Sequence, residues 1–107
     1  MKDRLIKILE EFSNENGSYE LKELGSQYRK PLKEDGFTIS TKEVYGGGEG
    51  DGETHWAVLE VLEDATGDIS FWKIPGWYQS YEGATLEVSE TFEVKAVEKV
   101  VTVWEEK

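Results

Sequence analysis

Cysteine is absent from these 107 residues, which excludes a disulfide framework, a thiolate metal site and a cysteine nucleophile. Histidine occurs once, as His55, and proline twice. One imidazole without thiolate partners makes a poor zinc site. No run approaches the roughly 18 apolar residues of a spanning helix, and Leu5 to Leu9 is too short for the core of a signal peptide. A soluble chain that stays in the cytoplasm where it is made, without membrane contact, is the expectation. Basic residues are also scarce, 12 Lys and Arg against 23 Asp and Glu, a net charge of −11.

That charge is uneven. Residues 1–36 hold seven basic and eight acidic residues, a balance of −1. Residues 37–107 hold five basic and fifteen acidic, a balance of −10. A field of this sign repels phosphate backbones, so direct nucleic-acid binding is not expected. It attracts basic protein surfaces, including those that ordinarily hold DNA or RNA, so nucleic-acid mimicry stays open. Acidity also serves solubility with no partner at all.

What is present reads as one α+β domain over 1–107, helical over 1–36 and an antiparallel sheet over 37–107. Leu5, Ile8, Leu9 and Phe12 form one apolar stripe, which predicts a helix from Asp3 to Glu15, stopped at Asn16-Gly17. Tyr19, Leu21, Leu24 and Tyr28 predict a second, shorter helix over 19–29, ended by Pro31. From Phe37 the pattern alternates instead. Phe37–Tyr45, Thr54–Leu62, Ile69–Ile74, Trp77–Tyr81, Ala84–Val88 and Phe92–Trp104 read as strands. Pro75-Gly76 reads as a type II turn between two of them. A change of apolar phase near Glu98-Lys99 predicts a bend in the last strand. Connections this short imply antiparallel pairing, a twisted meander of about five or six strands carrying one or two helices.

Few constellations point to catalysis or to a cofactor. Gly46-Gly-Gly-Glu-Gly-Asp-Gly52 lacks the Lys-Ser/Thr ending of a phosphate loop, and its carboxylates stand where phosphates would sit. Glu49, Asp51, Glu53 and Glu60 fall at positions 1, 3, 5 and 12 of a calcium-loop spacing. Thr54 occupies the place that loop needs for glycine, and the flanks are strands. A solvated connection is therefore favoured, with Glu49, Asp51 and Glu53 as the candidate cation ligands. His55 beside Trp56 reads as packing. No serine sits in a nucleophile elbow and no carboxylate pair stands out as an acid/base couple.

The aromatic run Phe71-Trp-Lys-Ile-Pro-Gly-Trp-Tyr-Gln-Ser-Tyr81 is more informative. Alternation puts Phe71 with Ile69 on one face and Trp72 with Ile74 on the other, and Trp77 with Tyr81 opposite Tyr78. One sheet with two short helices cannot cover both faces, so some rings are expected to be exposed. Trp72, Trp77, Tyr78 and Tyr81 are the candidate partner-binding residues, since exposed Trp and Tyr anchor interfaces. Base stacking on single strands would need cations along the groove, and Lys73 stands alone.

Tyr45-Gly-Gly-Gly-Glu-Gly-Asp-Gly-Glu53, a Trp-centred strand, Gly76-Trp-Tyr-Gln-Ser-Tyr-Glu-Gly83 and Phe92–Trp104, in that order, resemble a group of small acidic proteins encoded by tailed bacteriophages. The likeness covers roughly residues 37–105 and carries over no catalytic or binding residue. What it implies is context: a phage accessory protein in the host bacterial cytoplasm, of a class that often acts by binding and disabling a host protein or defence complex. A small-ligand or cation-binding module on the 46–54 loop and a minor virion component are the other readings.

Overall fold

The computed structural model describes residues 1–47, 52–79, 83–97 and 102–107. Helix α1 (Lys2–Asn16) forms where the apolar stripe required it, and Leu5, Ile8, Leu9 and Phe12 are its buried residues. Asp3 lies in its first turn, where a carboxylate complements the positive end of the helix dipole. The Asn16 side-chain amide donates to the Phe12 carbonyl at 3.1 Å, and the Gly17 N–H donates to Ser13 at 2.8 Å. The Gly17 bond occupies a carbonyl of the last turn, whereas the Asn16 amide adds a second donor to the Phe12 carbonyl, already bonded within the helix.

The second helix expected over 19–29 is instead a 3-10 segment, Ser18–Glu23. Leu24 is already extended (φ −61, ψ 125), and Gly25 follows at φ +80, a left-handed conformation that keeps the chain from resuming the helix. Leu21 and Leu24 are still buried, so the apolar spacing served packing rather than an α-helix. The Leu24 carbonyl accepts from the Thr41 N–H at 2.8 Å, and the Thr41 hydroxyl donates to the Leu21 carbonyl.

Six antiparallel strands follow, β1 (Leu32–Glu34), β2 (Phe37–Gly46), β3 (Thr54–Glu63), β4 (Ile69–Gln79), β5 (Gly83–Leu86) and β6 (Phe92–Val94). Their order is β1-β2-β3-β4-β5, and β6 also pairs with β4. The sheet thus starts at Leu32, inside the part expected to be helical. Asp35 (φ 52) and Gly36 (φ 81) make the two-residue turn into β2, since paired positive φ values match the twist of the flanking strands. A register shift between Thr41 and Glu43 bulges β2 where Thr41 is tied to the 3-10 segment.

Pro75-Gly76 is not a turn. β4 runs straight through it, pairing Trp56 with Pro75 and His55 with Gly76. The far side of β4 explains why a proline fits there. β6 pairs with Phe71–Lys73 and β5 with Gly76–Gln79, so Pro75 lies in the gap between two partner strands. Its carbonyl accepts from the Glu87 N–H at 2.7 Å, and its missing donor points into the same gap. Gly76 is required by crowding, because a Cβ there would stand 2.0 Å from the Thr85 carbonyl oxygen.

α1 and the 3-10 segment cover one face of the sheet. Phe37, Ile39, Ala57, Leu59, Val61, Trp72, Ile74, Leu86 and Val88 join the helical residues in a single buried cluster. The last strand is much shorter than the expected Phe92–Trp104. β6 ends at Val94, and residues 95–97 and 102–107 carry no regular structure. The bend expected at Glu98-Lys99 lies outside the described residues. Among the described residues no helix is long and apolar enough to cross a membrane.

Candidate partner-binding face

Strict alternation along β3 and β4 sorts their side chains. His55, Ala57, Leu59 and Val61 are buried toward α1, whereas Trp56, Val58, Glu60 and Leu62 are only half-buried on the reverse face. On β4, Trp72 and Ile74 are buried, while Ile69, Phe71, Lys73 and Trp77 share the reverse face with Trp56. Among the described residues no helix lies over that reverse face, which mixes the apolar and aromatic side chains of Trp56, Val58, Leu62, Phe71 and Trp77 with Glu43, Glu60 and Lys73. Exposures there reach 56% for Ile69, 49% for Tyr45, 41% for Phe92 and 37% for Trp77.

The register builds a row of flat groups across three strands. Tyr45 on β2 pairs with Trp56 on β3, which pairs with Pro75 on β4. The Tyr45 and Trp56 rings stack with centroids 5.3 Å apart and planes 10° from parallel. The Lys73 ammonium lies 4.5 Å from the Trp56 ring centroid. Ring stacking of this kind contributes about 0.5–1.5 kcal/mol and a surface cation–π contact about 0.5–1 kcal/mol. These contacts favour one arrangement of the row, and any such bias lowers the ordering cost of binding.

The expected partner-binding residues divide. Trp77 lies on the open face. Trp72 is 4% exposed within the core, its indole N–H donating to the Ser70 hydroxyl at 2.9 Å, and so is out of reach of a partner. Tyr78 is half-buried on the opposite side of β4 from Trp77, and Tyr81 lies outside the described residues. Sequence reasoning missed Tyr45, Trp56 and Phe92. The signal was available for Trp56, because both faces of β3 read as apolar.

Of the candidate cation ligands, Glu49 and Asp51 lie outside the described residues and Glu53 is exposed. Glu60 cannot complete a loop with Glu53. The extended β3 places it seven residues along the strand, about 23 Å away at roughly 3.3 Å per residue. Among the described residues no group of three or more His, Asp or Glu side chains is placed to hold a metal ion.

His55 is 1% exposed. Its Nδ1 lies 2.8 Å from the Tyr45 carbonyl, which can only accept, so Nδ1 carries the proton. The other nitrogen, Nε2, is buried and has no hydrogen-bond partner among the described residues. Burial holds the imidazole pKa below its ordinary value; the Tyr45 and Gly46 carbonyls oppose that shift and the Lys22 ammonium reinforces it. A Cβ at Gly47, whose φ is +89, would meet the His55 ring at 2.7 Å. His55 therefore acts as a neutral packing residue that pins the β2–β3 connection. A cleft of about 220 Å³ between α1 and β1 is lined by Ile8, Phe12, Leu32 and three glutamates, and another of about 390 Å³ lies among Tyr19, Glu20, Glu23 and Tyr28.

No protein-family model matches the chain, and no curated protein or solved structure matches it.

Proposed function

We propose that this chain is a non-enzymatic accessory protein of a bacteriophage, acting in the host cytoplasm by binding, and thereby inhibiting, a host protein. The observation that carries the binding reading is the uncovered sheet face with Tyr45, Trp56, Phe71, Trp77 and Phe92. Rigid aromatic rings on an accessible surface are what interface anchors are made of. The phage and host setting comes from the sequence resemblance, and the acidic balance of residues 37–107 supports a role in steering encounter. Tagged chain incubated with bacterial lysate tests the reading. The expected result is a stoichiometric partner retained by the unaltered chain and lost from a Trp77→Ser chain. Recovery of no stoichiometric partner counts against it.

A further inference from the structure

We infer that the open face of β3 and β4 receives a basic polypeptide surface with an apolar centre, seated between Tyr45 and Trp77. The inference rests on the partner-binding reading above and specifies the chemistry of the partner. The centre of the face is apolar and aromatic, while its surround is acidic. Glu43 and Glu60 flank Val58 and Phe71 through the sheet register. Glu87 lies beside Pro75, and Asp64 and Asp68 occupy the β3–β4 turn. Cations share the face as well: Lys73, whose ammonium rests over the Trp56 ring and keeps its charge, and Lys33, which is paired with Thr38 on the β1 edge.

Charge selects among occupants. A second copy would bring another net −11 and set acidic rim against acidic rim. A nucleic acid would meet the same repulsion. A surface with Lys or Arg around an apolar knob satisfies both zones, burying its centre on the rings while its cations meet the rim in partly desolvated pairs.

The test uses the whole chain and a synthetic peptide of alternating leucine and lysine, followed by tryptophan fluorescence, with Ser/Lys and Leu/Glu peptides as controls. The Leu/Lys peptide is expected to bind about tenfold or more tighter than the Ser/Lys peptide, and to lose about that factor against a Tyr45→Ser/Trp77→Ser chain. Its affinity is expected to fall with added salt, less steeply for a Glu43→Gln/Glu60→Gln chain, whose surface substitutions leave the core intact. Equal binding of the Ser/Lys peptide, or full binding by the Tyr45→Ser/Trp77→Ser chain, overturns the inference, because a polyanion alone would then explain it. Sedimentation that finds a dimer broken by Trp77→Ser assigns the face to a second copy and also overturns it. A lysate partner lost by Trp77→Ser but indifferent to Glu43→Gln/Glu60→Gln and to salt leaves the partner-binding reading standing and removes the basic contact.

Discussion

The two faces of the sheet are made by alternate residues of the same strands, and both carry apolar side chains. On the helix side, Ala57, Leu59, Val61 and Ile74 are fully buried, and the rings contributed by β3 and β4 are His55, Trp72 and Tyr78. On the reverse side the residues are larger, flatter and more often aromatic, and they are left half-exposed. A core needs volumes that interlock, which small and branched aliphatics supply. An interface needs rigid surface that stays soluble when alone, which Tyr and Trp framed by carboxylates supply. The difference in residue type, more than hydrophobicity, separates the structural face from the proposed binding one.

Substitutions can break or sharpen that contrast. Leu59→Ala should cost about 2–5 kcal/mol of unfolding free energy, read from urea denaturation, because it opens a cavity under α1. Gly76→Ala should cost about 1–3 kcal/mol in the same assay, since its Cβ forces β4 away from the Thr85 carbonyl. Tyr45→Ala, on the open face, should cost only about 1 kcal/mol, the value of its stack with Trp56. Arg4→Ala should change stability by less than about 0.5 kcal/mol. Its 2.8 Å ion pair with Asp35 is more than half exposed on both sides and screened by solvent.

His55 adds a pH dependence to the structural face. Its folded pKa lies below the ordinary 6.5, so the unfolded chain takes up the proton first. The stability it contributes is complete above the unfolded value and is lost as pH falls from there toward the folded one. Replacing His55 by Asn, which keeps a donor near Nδ1 but does not titrate, should flatten that part of the profile. Urea midpoints measured for both chains across the weakly acidic range would check this.

Much of the architecture was readable because α1 and β3 are long and strictly periodic. The change to alternation at Phe37 was readable, whereas β1 (Leu32–Glu34) was not, because three residues carry too little alternation to read. Pro75-Gly76 misled for a different reason. Its usual meaning as a turn was overridden by a gap between β5 and β6 that only tertiary pairing creates. The expected strand from Phe92 to Trp104 failed similarly, since alternation shows which residues can form a strand but not how far a partner extends. Trp77 falls on the open face and Trp72 in the core, although they belong to one aromatic run. Deciding between them required knowing which side of β4 the helix covers. Tyr45 and Trp56 are eleven residues apart and meet only through the register of β2 and β3.

The most direct test of this division is one chain measured two ways. A Tyr45→Ser/Trp77→Ser chain should unfold cooperatively within about 2 kcal/mol of the unaltered protein, yet lose about tenfold or more in affinity for its partner, mainly through faster dissociation. Unchanged affinity in a chain that folds normally would contradict the assignment of the open face as the working surface.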